Sequence, residues 1–196
     1  MSHSNKLSRT LVRIAAASLI LFSVPSLADQ PDNRSRWLPT SWFAQAGAGD
    51  EDTSAYAIGA AWDWNWSRDY RIGRVTGYTE VAVGRWQTNN NDSLDGERWF
   101  TQFGATPVLR LFPSALDGRW FGEIGVGANY ITPIYHAGSK HFSTEFNFGD
   151  HIALGRILDN ERRASLAVRF QHFSNASIEE PNPGENFTQL RYSYRF

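Results

Sequence analysis

Near the end of the 196-residue chain, His172 stands two residues ahead of Ser174. Side chains of an extended strand alternate faces with period two, so this spacing puts the imidazole and the hydroxyl on one face, within hydrogen-bonding reach. That is the material for a base and a nucleophile. The hydroxyl oxygen attacks an acyl carbonyl while a ring nitrogen takes its proton and later hands it to the departing alcohol. Asn175, Asn182 and Asn186 follow, with Pro181, Pro183 and Gly184 as turn formers among them. Amides of this kind can steady an oxyanion or orient a ring.

A bare His-x-Ser is a common accident, and its surroundings set this one apart. The run His172-Phe173-Ser174-Asn175-Ala176, followed by Pro181-Asn182-Pro183-Gly184, resembles the signature of the lipid A 3-O-deacylases of Gram-negative outer membranes (PagL-type). The resemblance implies an esterase that removes the ester-linked 3-hydroxyacyl chain at position 3 of lipid A without a cofactor, with Ser174 as nucleophile and His172 as base. In relatives a glutamate orients the imidazole; its position falls here on Asn186, with Glu185 one residue earlier. Strand parity favours Asn186, which shares the outward face of Thr188 and Leu190, whereas a one-residue slip in the loop would bring in Glu185. An amide can hold the ring but stabilises an imidazolium less than a carboxylate does. Glu179 and Glu180 are further acids, read as solvated loop charges. Asn175, Asn182 and Ser177 are the expected oxyanion and substrate-binding residues, through the asparagine amide and the backbone N–H groups near Ala176 and Ser177.

The pair needs strands to hold it, and the sequence supplies about eight. In the first, Trp42, Ala44, Ala46 and Ala48 share a face. In the second, Tyr56, Ile58, Ala60, Trp62, Trp64 and Trp66 alternate with Ala57, Gly59, Ala61, Asp63 and Asn65. Apolar residues in alternation that end in tryptophans suit a strand crossing hydrocarbon and finishing in an aromatic girdle. The Gly and Ala on the opposite face suit a narrow lumen filled by side chains. Val75, Val81 and Val83 oppose Tyr78, Glu80 and Trp86 in the third strand, and a polar loop follows over residues 87–96. In the fourth, Phe103, Ala105 and Leu109 oppose Gln102, Thr106 and Arg110, and Pro107 predicts a bulge or local unpairing. Ile124, Val126, Ala128 and Tyr130 face out in the fifth; Phe146, Phe148, Ile152 and Leu154 oppose Glu145, Asn147, His151 and Gly155 in the sixth.

The seventh strand carries the pair. Leu166, Val168 and Phe170 share a face with His172 and Ser174, which places the site on the outer wall, against lipid. Ala167, Arg169 and Gln171 face the lumen, where Arg169 needs an acid such as Glu80, Glu123 or Glu145. The eighth strand alternates to a terminal Phe196, a pattern that resembles the sorting signal of outer-membrane barrels. Eight strands make the smallest closed barrel, and closure leaves no unpaired edge in lipid.

Composition bounds the partners. A formal charge of −1 offers nothing to a nucleic acid, and the absence of cysteine rules out disulfides and thiolate metal sites. His136, His141 and His151 have no metal-ligand spacing, so no metal is expected. Eight Trp, seven Tyr and thirteen Phe beside a mean hydropathy of −0.43 suit a barrel with a lipid-facing outside and a polar inside. Lys6, Arg9 and Arg13, an apolar stretch from Ile14 to Val24 and the small residues Ser26-Leu27-Ala28 predict a cleaved signal peptide over residues 1–28. The expectation is therefore an all-β, eight-stranded antiparallel transmembrane barrel over residues 29–196, in the Gram-negative outer membrane, acting on lipid A or lipopolysaccharide, with self-association into a homo-oligomer left open. Two rivals compete with it: a non-enzymatic structural or adhesive barrel, and a secreted soluble barrel whose tryptophan face points inward around an apolar ligand.

Overall fold

Period-two alternation of apolar residues with small or polar ones is satisfied here by a sheet that closes on itself. A computed structural model describes residues 37–89 and 99–196. Eight strands form the barrel: β1 (Ser41–Gly49), β2 (Thr53–Tyr70), β3 (Gly73–Thr88), β4 (Trp99–Pro113), β5 (Trp120–Thr132), β8 (Phe146–Ile157), β9 (Ala164–Ser174) and β10 (Glu185–Arg195). A small hairpin, β6 (His136–Ala137) with β7 (Lys140–His141), lies in the connection between β5 and β8. Each barrel strand pairs antiparallel with its sequence neighbours, and β1 closes the ring by pairing with β10 from Ser41↔Arg195 to Gly49↔Phe187. The expected signal peptide and most of the polar loop after β3 lie outside the described residues.

The expected faces are the observed ones. Ile58, Val126, Ile152, Val168, Phe170 and Leu190 all stand exposed on the outer wall, an apolar belt that hydrocarbon covers. Inside, small residues make room for large ones: a Cβ on Gly59 would lie 2.3 Å from the Phe43 ring. The tryptophan face of β2 is on the outside too, with Trp64 lying over Gly77 on the neighbouring strand and its indole N–H donating to Thr79 at 3.0 Å. The ladder of β2 is not regular to its end, however. Its register against β3 shifts by a bulge between Asp63 and Ser67, within the tryptophan run. At Pro107 the sheet unpairs without bulging: the β3–β4 ladder passes straight through, while β4–β5 pairing lapses at Thr106 and Pro107 and resumes in the same register.

Two layers fill the lumen. The middle layer is charged: the Arg169 guanidinium donates to both oxygens of Glu80, at 2.8 and 3.2 Å, and lies 3.9 Å from Glu123. Arg191 reaches Glu80 at 2.8 Å, and Glu123 also accepts from Arg110 and from the Tyr78 hydroxyl. Of the three acids expected for Arg169, Glu145 takes no part. It precedes β8 at the rim, where the Tyr130 hydroxyl donates to it. Above the charged layer is an aromatic plug. Trp86 packs against Tyr135, Phe173 and Phe187, with centroids 5.2, 4.8 and 4.7 Å away, and Tyr135 continues to Phe100 and Phe142. The connection between β5 and β8, expected as a plain loop, thus folds inward to cap the barrel with Tyr135, Ala137 and Phe142, all buried.

The start of β1, the end of β10 and the short connections 71–72, 114–119 and 158–163 share one end of the barrel; the connections 133–145 and 175–184 and the turn 50–52 share the other. Short turns face the periplasm in bacterial barrels and longer loops face outward, so the plug and the 175–184 connection lie at the outer rim.

Glu80 is the carboxylate that the buried Arg169 and Arg191 guanidinium groups share. Removing it as Glu80→Ala leaves Arg169 only the more distant Glu123 and takes from Arg191 the carboxylate it contacts, and should destabilise the barrel by about 3–5 kcal/mol, read as a lower urea midpoint by tryptophan fluorescence in detergent. Glu145→Ala, outside the lumen, should leave the midpoint unchanged; equal midpoints for all three proteins would show that the charged layer does not hold the barrel.

Candidate active site

Strand parity aims the side chains. Phe173 is fully buried in the plug, so the residues on either side of it, His172 and Ser174, must point out, and both lie half-buried on the outer wall at the rim. Phe187 does the same on β10: it is fully buried, and Asn186 before it faces out. The β9–β10 ladder sets Asn186 directly opposite His172, and His172 Nδ1 lies 2.8 Å from Asn186 Oδ1. On the other side of His172, the β8–β9 ladder places Asp150, exposed on the same outer face. Glu185 turns into the lumen instead, fully buried, with the Lys140 ammonium 3.3 Å from its Oε2.

The turn after β9 is built around Asn175. Its backbone N–H donates to Asn182 Oδ1 at 3.0 Å, and its buried side-chain amide donates to Ser143 Oγ at 2.9 Å and to the Glu179 carbonyl at 2.7 Å. Those bonds hold Ala176 and Ser177 in the left-handed region, at φ 54° and 60°, a conformation that costs an L residue roughly 1–2 kcal/mol. Asn175 therefore braces the turn rather than facing the hydroxyl. An N–H can only donate, so the bond from Asn175 settles which end of the Asn182 amide is oxygen and leaves the Nδ2 hydrogens for another acceptor. Ser177 is exposed on the turn, as are Glu179 and Glu180; Glu180 accepts from the Asn182 N–H at 3.0 Å. Gly184 lies against the ring itself. At φ 68° it takes a backbone conformation that suits glycine, and a Cβ there would lie 2.6 Å from His172 Cε1 and 3.2 Å from Nε2.

Asp50, in the turn after β1, was not among the sequence candidates. It accepts from Asn186 Nδ2 at 3.0 Å and from the Lys140 ammonium on the same oxygen, and its own N–H donates to the Asn186 carbonyl at 3.2 Å. The hydrogen bond from Lys140, then that from Asn186, holds the Asp50 carboxyl below its ordinary range, so it is ionised. Burial opposes the Lys140 charge, but the bonds to Asp50 and Glu185 outweigh it and raise the pKa of the ammonium. One signal for Asp50 is present in the sequence pattern: closing eight strands requires the first to pair with the last, which brings the turn after β1 beside the start of β10.

Ser174 Oγ makes no hydrogen bond to His172 among the described residues, a looseness common in sites without substrate. Nor do His136, His141 and His151 converge: the rings of His136 and His141 face each other across the small hairpin at 5.3 Å, while His151 is buried in the lumen. Among the described residues no three metal-binding side chains come together. A cavity of about 760 Å³ opens at the opposite end of the barrel, lined by Tyr78, Arg110 and Arg191 among others, and includes neither His172 nor Ser174. The hydroxyl and imidazole thus belong to the outer wall.

Known proteins resemble this chain over most of its barrel. The family model for lipid A 3-O-deacylase (PagL) matches residues 55–195. The lipid A deacylase PagL of Bordetella bronchiseptica is 36% identical over 133 residues, spanning 67% of this chain and 70% of that protein. Its namesake in Pseudomonas aeruginosa is 29% identical over 153 residues, 76% of this chain and 82% of that one. The crystal structure of the outer membrane enzyme PagL superposes with a TM-score of 0.66 at 26% identity, covering 80% of this chain and 99% of that one. Neisserial surface protein A, at 9% identity and a TM-score of 0.51 over 80% of this chain and 95% of its own, shares the fold alone. With the family matched over most of its barrel, the chain belongs to the lipid A 3-O-deacylase (PagL) family of outer-membrane enzymes.

Proposed function

We propose that this protein, exported by the signal peptide expected over residues 1–28, hydrolyses the ester that holds the 3-hydroxyacyl chain at position 3 of lipid A, with Ser174 as nucleophile and His172 as general base. The observation that carries this reading is the outward-facing His172–Asn186 hydrogen bond at the outer rim, 2.8 Å long, with Ser174 two residues along the same face. The esters of a lipid in the outer leaflet lie beside the wall of a barrel and not in its lumen, and these are the groups that the strands turn to that wall.

The proposed chemistry uses these groups in turn. With Nδ1–H donating to Asn186 Oδ1, the second ring nitrogen, Nε2, carries the lone pair. Nε2 takes the Ser174 proton as Oγ adds to the ester carbonyl. The tetrahedral intermediate then expels the sugar 3-hydroxyl, which leaves with the proton held on the ring, and an acyl-serine remains. Water, deprotonated in turn by Nε2, releases the 3-hydroxy fatty acid and restores the serine. Donors for the oxyanion are at hand in the Asn182 Nδ2 hydrogens and in the N–H groups of Ala176 and Ser177, which donate to no described residue. Each such donor contributes roughly 10²–10³ in rate where it has been removed from an esterase-type site.

Ser174→Ala should abolish release of 3-hydroxy fatty acid while the barrel keeps its heat-modifiable mobility, and mass spectrometry of lipid A from expressing cells should lose the signature of one missing hydroxyacyl chain. Full activity in that variant would remove the serine from the mechanism. Gly184→Ala tests the packing behind the ring: its methyl displaces the imidazole, so kcat should fall roughly 10²-fold with the fold intact. An unaltered kcat would mean that the ring does not depend on that contact.

A further inference from the structure

Which end of the Asn186 amide faces the imidazole decides whether His172 can act as a base, and nothing in Asn186 itself makes that choice. An amide presents oxygen on one side and NH2 on the other, and rotation by half a turn exchanges them. With NH2 toward the ring, Nδ1 would be forced to accept, the proton would move to Nε2, and the nitrogen that takes the serine proton in the proposed mechanism would lose its lone pair. We infer that Asp50 is a positioning residue for the reaction, a carboxylate that acts on His172 through the Asn186 amide and is itself held by Lys140. This inference rests on the Ser174–His172 reading.

The contacts run in one direction. A carboxylate can only accept, so the 3.0 Å bond between Asp50 Oδ2 and Asn186 Nδ2 fixes the NH2 end away from the ring and leaves Oδ1 to meet His172 Nδ1 at 2.8 Å. The Asp50 oxygen that receives Asn186 also receives Lys140 Nζ. Lys140 is fixed in turn by the fully buried Glu185, 3.3 Å away, and by its place on the β6–β7 hairpin that caps the plug. The backbone adds a second tie, Asp50 N–H to the Asn186 carbonyl at 3.2 Å, so the turn after β1 and the start of β10 move together. Asp50 thus does two things that a lone asparagine cannot. It selects the amide orientation, and it sets a negative charge behind the ring when the ring becomes a cation during attack. Other charges near the relay do not duplicate it: Glu185 faces the lumen, Glu51 accepts from Ser139, and Asp150 stands opposite His172 on β8, on the side away from Asn186.

The test is a double-mutant cycle on purified, refolded full-length barrel, with release of 3-hydroxy fatty acid from lipopolysaccharide in mixed micelles as the readout. Asp50→Asn keeps the shape and removes the charge; kcat should fall roughly ten- to hundredfold while KM and the thermal midpoint stay at wild-type values. In an Asn186→Glu background the ring has a carboxylate of its own and Asp50 meets a like charge in place of an amide donor, so the same Asp50→Asn exchange should no longer lower kcat. A wild-type kcat in Asp50→Asn overturns the inference. So does a loss of the same factor in both backgrounds, or one that tracks a fallen midpoint, since each marks a purely structural role. Ser174→Ala run beside them separates the two levels: activity that survives it removes the underlying mechanism together with the relay, whereas an inactive Ser174→Ala with a silent Asp50→Asn removes the relay alone.

Discussion

A β-sheet inside hydrocarbon can have no free edge, because each unpaired N–H or C=O there costs several kcal/mol and finds no water to relieve it. In this chain that requirement is met by the ladder between β1 and β10, which runs without a break from Ser41↔Arg195 to Gly49↔Phe187. Once the ring is closed, every strand residue has one of two fates. It faces lipid, and must be apolar or lie near a rim, or it faces a narrow lumen, and must pack or pair. Arg169 and Arg191 take the second fate, and Glu80 is the price of it. The aromatic plug built on Trp86 closes the outer end above them.

The candidate site follows from the same division. Polar groups on the outer wall are expensive everywhere except at the rim, and the rim is where His172, Ser174 and Asn186 emerge. Their orientation is not a property of their own contacts alone. It is imposed by the neighbours pointing the other way: Phe173 and Phe187 are both anchored on Trp86, 4.8 and 4.7 Å from it. A slip of one residue in either strand would put a phenylalanine on the wall and the imidazole or amide in the plug, at a cost that the packing of the plug makes prohibitive. Hydrophobic burial in the lumen thereby sets the register of chemistry on the outside.

What could be read in the sequence follows from what is local. Alternation is local, so the wall-facing sides of β5 and β9 are legible residue by residue, and with them the shared face of His172 and Ser174. Pairing across the barrel is not local. Three acids were candidates for Arg169, and only the packed lumen separates Glu80 from Glu145, which lies at the rim with Tyr130. The bulge in β2 was hidden for a different reason: three alternating tryptophans look the same whether or not the partner strand has slipped beneath them. The inward fold of the connection between β5 and β8 had no periodic pattern to announce it. Asp50 lies 136 residues from Asn186, and Lys140 lies 90 from Asp50, so neither falls in any motif around the serine.

The family resemblance implies a glutamate where this chain has Asn186, and in the proposed mechanism the surroundings give that difference a physical sense. A carboxylate in place of Asn186 would be less exposed to water than one at Asp50, and a less hydrated charge binds a proton more readily. A neutral amide at that position avoids the cost but brings no charge. Here the charge sits one residue further out, on Asp50, whose side chain is 45% exposed and in contact with the Lys140 ammonium. Water and the ammonium keep it ionised, while the amide transmits its hydrogen-bonding demand inward to the ring. In the proposed relay the two requirements on an orienting group, that it be charged and that it touch the imidazole, are divided between Asp50 and Asn186, from opposite ends of the chain. Only closure of the barrel brings those ends together.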